Sequence, residues 1–123
     1  NGHMNESRYG QVFSDAADAV LAHIGVDADY VAAGNSYFTA ETNVKYILET
    51  HAGEMISCET RVLIGEGKKL KLFHEMRRDS DGELLASCEQ FLLHVSLETR
   101  KSCAPRPEVL ARLESLARAH AEN

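Results

Sequence analysis

A chain of 123 residues is most simply one domain, long enough to bury a core and too short for two. With 44% hydrophobic and 26% charged residues it has the make-up of a folded globular protein, which excludes disorder as a description of the whole. The net charge of −6 argues against a general nucleic-acid binder, and no eighteen-residue apolar run or signal-peptide pattern indicates a membrane span or secretion.

Residues 1–24 run from a polar opening into the clearest helical period of the chain. Tyr9, Val12, Phe13, Ala16, Val20, Leu21 and Ile24 recur at three- and four-residue steps and predict one apolar stripe. Ser7 or Asn5 can cap the first turn, where unpaired backbone N–H groups and the positive end of the helix dipole favour a developing negative charge. Gly25 stops the helix, and the DADYVAAGNS segment reads as a loop with Gly34 and Asn35 as turn formers.

The middle of the chain is strand-like. Residues 37–48 alternate, with Thr42, Val44, Tyr46 and Leu48 on one face and Glu41, Asn43 and Lys45 on the other. Residues 55–64 place Ile56, Cys58, Thr60, Val62 and Ile64 together, and Gly65-Glu66-Gly67 makes a tight turn. Residues 69–77 set Leu70, Leu72, His74 and Met76 against Lys69, Lys71, Phe73, Glu75 and Arg77, and Asp79-Ser80-Asp81-Gly82 signals a hairpin. The run 84–97 is apolar enough for the middle of a sheet. Pro105 and Pro107 introduce a second helix over 107–120, striped by Val109, Leu110, Leu113, Leu116 and Ala117. The expected architecture is α+β, one sheet face packed on the long helix and the other solvated or used for assembly. Cys58, Cys88 and Cys103 are an odd set without a CxxC pair, which fits a reducing cytoplasm, and no His, Cys or carboxylate spacing resembles a metal site.

The order of elements and the run Asn1-Gly2-His3-Met4-Asn5 resemble the hotdog-fold acyl-CoA thioesterases, in which an antiparallel sheet wraps a long central helix. The run matches the Asn-x-His-x-Asn pattern that precedes the central helix in that family, although Gly2-His3-Met4 is also a common remnant of tag cleavage. Tyr46-Ile47-Leu48-Glu49 and Ala52-Gly53-Glu54 match the family's strand end and Gly-acidic turn. The strands Phe73-His74-Glu75-Met76 and Cys88-Glu89-Gln90-Phe91-Leu92-Leu93-His94-Val95 look closest to the thioesterases of carnitine breakdown, for which betainyl-CoA is the implied substrate. The family pattern also has an acidic residue two positions before the Asn and a whole first strand; neither is in this sequence, so both are expected upstream of Asn1.

The resemblance implies thioester hydrolysis by water, with an oxyanion held by backbone donors. On that reading His3 activates or orients water, Asn1 positions a carboxylate or the thioester carbonyl, and the N–H groups around Asn5 and Glu6 polarise that carbonyl. Glu49 is the carboxylate expected to act as base or water holder, because it ends the strand that approaches this region in the family. Lys69, Lys71, Arg77 and Arg78 are basic candidates for the phosphates of coenzyme A, and Tyr9 and Tyr46 offer aromatic faces to a quaternary ammonium. Coenzyme A would enter as part of the substrate, with no separate cofactor and no metal. His74 and His94 stand among apolar neighbours and read as hydrogen-bonded core or interface residues, and Cys58 lacks a positioned base. The family's habits imply a homodimer or homotetramer assembled through sheet edges. A hotdog dehydratase or hydratase and a non-catalytic acyl-CoA-binding module are the alternative functions.

Overall fold

The computed structural model of the chain describes residues 6–122. The elements follow in the order α1 (Glu6–His23), α2 (Ala28–Ala32), β1 (Asn35–Tyr46), β2 (Ile56–Glu66), β3 (Lys69–Arg78), β4 (Leu84–Ser96) and α3 (Pro107–Ala121). The four strands form one antiparallel sheet in the order β1-β4-β3-β2. β4 therefore lies inside the sheet, as its apolar run requires, and β1 and β2 form its edges.

α1 crosses β2 and β3 and buries the row Tyr9, Phe13, Ala17 and Ile24. That row selects Ala17 where the sequence stripe has its neighbour Ala16, which is only half-buried. Towards the start of α1, Tyr9 and Phe13 pack with Met76, Leu85, Ala86 and Cys88. Towards its end, Ala17 and Ile24 pack with Leu70, Leu72 and Leu92 and with Val109 and Leu113 of α3. Complete burial of a side chain such as Phe13 contributes roughly 1.5–3 kcal/mol, so this row is what fixes the helix on the sheet.

The alternation in β3 is realised as read: Leu70, Leu72, His74 and Met76 are buried beneath the helices. In β2 it holds only as far as Val62. A bulge between Val62 and Ile64 inserts one residue, which turns Ile64 to the opposite face and brings Gly65 under α3. A Cβ on Gly65 would stand 3.0 Å from atoms of both Leu113 and Ala117, so the close approach of α3 depends on glycine here. His120 of α3 also accepts a hydrogen bond from the Val62 N–H at 2.8 Å, joining the end of that helix to edge strand β2.

Two further departures concern the flanks of β1. The expected loop after Gly25 contains α2, whose Asp27 cap accepts from the Tyr30 N–H at 2.9 Å while the Tyr30 ring is buried. Leu48 lies beyond β1; it and Ile47 both donate their N–H groups to the Leu85 carbonyl. The sheet face opposite α1 and α3, which carries Glu41, Lys71, Phe73, Glu89 and Phe91, is covered by no other element among the described residues.

Candidate active site at the start of the long helix

The first turns of α1 meet the segment that leaves β1. Tyr9 donates its hydroxyl hydrogen to Thr50 Oγ1 at 3.0 Å, and Thr50 is only 2% exposed. The Tyr9 ring meets the Tyr46 ring edge-on, with centroids 5.1 Å apart and planes at 90°. Tyr46 itself is 53% exposed. Tyr9, Tyr46 and the Glu49-Thr50 peptide are thus gathered at one end of α1.

Residues 49–54 turn back towards β2 through Gly53, whose φ of 90° is in the region that favours glycine. Arg78, at the end of β3, holds this segment from the other side. Its Nε donates to Glu54 Oε2 at 3.0 Å, Nη2 to the Glu49 carbonyl at 3.2 Å, and Nη1 to Asp81 Oδ2 of the β3–β4 hairpin at 2.9 Å. These charge-assisted bonds raise the guanidinium pKa above its ordinary value, Glu54 first and Asp81 second.

Of the residues the sequence assigned to chemistry, Asn1, His3 and Asn5 lie outside the described residues, and Glu6 is the first residue of α1. Ser7, the other candidate cap, stands inside the first turn of α1. Lys69, Lys71 and Arg77 are not brought to the start of α1; they project from the opposite face of β3. Lys71 pairs with Glu89 at 3.8 Å, and Arg77 bonds to Glu75 at 3.3 Å and to the Gly82 carbonyl at 3.1 Å. A cavity of about 270 Å³ on that face is bordered by Glu41, Asn43, Ile64, Lys71, Glu89 and Phe91.

His74 and His94 are hydrogen-bonded residues of the core, as their apolar neighbours implied. His74 is wholly buried; its Nε2 donates to Gln90 Oε1 at 2.6 Å and its Nδ1 accepts from Thr60 at 2.7 Å. Burial pushes its pKa down, and the Gln90 bond opposes that only in part. His94 donates from Nδ1 to the Cys103 carbonyl at 2.9 Å and accepts at Nε2 from Tyr30 at 2.7 Å, which ties α2 to the segment before α3. Burial raises the Cys58 thiol pKa and lifts Cys88 to about 11, so neither is a ready thiolate. Among the described residues, no three His, Cys, Asp or Glu side chains converge as a metal site, and no helix is long and apolar enough to cross a membrane.

Thr50, Glu54 and the anchoring role of Arg78 were not read from the sequence. Ala52-Gly53-Glu54 carried the only signal: a glycine turn followed at once by a carboxylate.

Residues 1–113 match the thioesterase-like superfamily. The chain belongs to that superfamily. Within it, the chain is 54% identical to the L-carnitine dehydrogenase/betainyl-CoA thioesterase of Ruegeria pomeroyi, over 98% of its own length and 24% of that protein's. It is 41% identical to the betainyl-CoA thioesterase of Pseudomonas aeruginosa, over 98% of this chain and 76% of that one. The chain therefore spans about a quarter of the length of the Ruegeria relative and about three quarters of the Pseudomonas one. A DHNA-CoA thioesterase from Staphylococcus aureus superposes with a TM-score of 0.87 at 18% identity, covering 98% of this chain and 83% of that one. This thioesterase-like chain thus has the hotdog architecture that its element order and opening motif implied.

Proposed function

We propose that this thioesterase-like protein hydrolyses an acyl-CoA thioester, with betainyl-CoA as its substrate in carnitine breakdown. The observation that carries the reading is the gathering of Tyr9, Tyr46 and the Glu49-Thr50 peptide at the start of α1 in a chain 54% identical to a protein named as a betainyl-CoA thioesterase. Water, oriented by the Glu49 carboxylate and by His3, attacks the thioester carbonyl; a new C–O bond forms, the C–S bond breaks, and the proton the water gives up to the base passes to the departing sulfur. Charge building on the carbonyl oxygen is met by backbone N–H groups in the first turn of α1, where the helix dipole is positive. The sulfur leaves as coenzyme A, which enters only as part of the substrate. The trimethylammonium of a betainyl group is matched by the exposed Tyr46 ring beside Tyr9, since aromatic faces attract quaternary ammonium.

The reading includes a homodimer or homotetramer in the cytoplasm. Edge strand β1 and the uncovered outer sheet face support assembly, and three free cysteines suit a reducing compartment. Sedimentation at micromolar concentration tests the first point; a monomer would count against it.

The functional test is hydrolysis of a panel of acyl-CoA thioesters, followed by loss of thioester absorbance so that the protein's own thiols do not interfere. Turnover of betainyl-CoA that drops about a hundredfold in His3→Ala or Glu49→Gln is the expected result, a size in keeping with loss of a general base. Tight binding with no turnover would replace the enzyme by an acyl-CoA-binding module, and turnover of an enoyl-CoA without thiol release would make it a hydratase.

A further inference from the structure

Arg78 is basic, and at the level of sequence its expected partner is a phosphate of coenzyme A. The structure gives its guanidinium different work. Its three nitrogens are directed to three acceptors on two segments: Nε to Glu54 and Nη2 to the Glu49 carbonyl in residues 49–54, and Nη1 to Asp81 in the β3–β4 hairpin. The side chain is 21% exposed, compared with 45% for its outermost partner Asp81. On the far side of the same segment, Thr50 takes the hydroxyl hydrogen of Tyr9 from α1. The peptide joining Glu49 to Thr50 is therefore gripped at both ends, by β3 through the Glu49 carbonyl and by α1 through the Thr50 hydroxyl. Gly53 provides the turn that returns Glu54 to the guanidinium. The Asp79–Gly82 hairpin supplies Asp81, whose carboxylate also accepts from the Glu83 N–H at 3.1 Å.

We propose that Arg78 is a positioning residue for thioester hydrolysis, fixing the backbone of Glu49 where its neighbour Thr50 meets the start of α1. The proposal rests on the reading of Glu49 as the water-holding carboxylate. Its physical basis is the fork geometry of guanidinium, which reaches a carbonyl and two carboxylates at once. A lysine carries the same charge but offers a single point of attachment, so it cannot hold the same three acceptors in register. A small displacement of a group that orients a nucleophile is costly in rate and need not affect binding of the substrate's remote parts.

The test compares Arg78→Lys, Glu54→Gln, Glu49→Gln and the Arg78→Lys/Glu49→Gln double variant in the full chain, each checked for native circular dichroism. With betainyl-CoA, Arg78→Lys is expected to lower kcat about tenfold or more with KM changed less than about twofold, the pattern of a lost transition-state arrangement. Glu54→Gln keeps an acceptor but removes the charge that strengthens this bond, and should lower kcat in the same direction by about threefold, which covers the case in which Arg78→Lys fails to fold. The double variant should be no slower than Glu49→Gln alone, because the carboxylate that Arg78 places is already gone.

Several results would overturn the proposal, each in a recognisable way. A raised KM with unchanged kcat in Arg78→Lys would mean that Arg78 meets the coenzyme directly. Additive losses in the double variant would mean that it acts elsewhere. Full activity in Glu49→Gln would remove the reading of Glu49 and the positioning role together, whereas an impaired Glu49→Gln beside an unimpaired Arg78→Lys and Glu54→Gln would remove the positioning role alone.

Discussion

His74 on β3 donates from Nε2 to Gln90 Oε1 on β4 at 2.6 Å, two polar groups bonded to each other in a layer where their neighbours Leu72, Met76 and Leu92 are apolar. With Thr60 at Nδ1 as well, the neutral imidazole has both ring nitrogens bonded and no exposure to water. His94 is in the same condition between Tyr30 and the Cys103 carbonyl. Burial holds both pKa values below the usual 6.5. The unfolded chain accepts protons near that value and the folded chain resists them. Stability should therefore be complete above about pH 7 and decline as pH falls through 6.5 towards the lowered folded values, by at most about 1.4 kcal/mol per pH unit for each histidine. Urea unfolding at intervals from about pH 8 to pH 5 reads this directly, and a flat profile would contradict it.

Gln90→Leu isolates one bond of that network. It keeps an apolar side chain of similar reach but strands the His74 Nε2–H in a site with no exposure. The expected loss is about 1–3 kcal/mol at pH 8, the cost of a buried donor left unpaired. Removing the bond also deletes what raises the His74 pKa, so the acid decline should begin no later than in the parent protein.

Gly65→Ala tests the packing of α3 on β2. The new methyl would meet Leu113 and Ala117 at 3.0 Å, against a helix that His120 also fastens to Val62. Overpacking of this kind costs about 1–3 kcal/mol. A urea midpoint lowered with unchanged slope is the expected outcome, and a neutral effect would show that α3 shifts freely away from the strand.

These sites mark the limits of what the sequence made legible. The strict alternation of Leu70, Leu72, His74 and Met76 named the core face of β3 because a period of two admits one assignment. The row from Tyr9 to Ile24 did the same for α1, missing only that Ala17 points inward and Ala16 less so. Ile64 was misplaced because one bulged residue reverses every later position in a strand, and what stabilises the bulge here is α3, some fifty residues further along the chain. α2 was read as loop since five residues carry too little period to register, although Asp27 three places before Tyr30 was its cap signal. The anchoring of residues 49–54 by Arg78 spans more than twenty residues of sequence, so a basic residue beside a hairpin looked like a free charge.

Tyr9→Phe addresses the other side of the anchored segment. It retains the ring against Tyr46 and removes the donor to Thr50, which is too buried to find water readily. A loss of about 1–2 kcal/mol is expected, and Thr50→Val should cost less once Tyr9 is already Phe. A double-mutant cycle in urea should give a coupling of about 0.5–1.5 kcal/mol; none would mean that the hydroxyl pair contributes nothing to holding the loop.

Tyr46 decides whether the proposed acyl group is recognised by charge or by shape. Its ring is about half exposed and stands at the start of α1, where an acyl group would approach a water held by Glu49. The 3,3-dimethylbutanoyl thioester of coenzyme A has the size and branching of betainyl-CoA with carbon in place of the charged nitrogen. An aromatic face favours the cation over this neutral isostere by about 0.5–2 kcal/mol, and leucine at the same place offers contact without the quadrupole. Tyr46→Leu should therefore raise KM for betainyl-CoA about 2- to 30-fold while leaving KM for the isostere nearly constant. Equal losses on both substrates would assign Tyr46 to packing, and an unchanged KM on both would remove it from the acyl site.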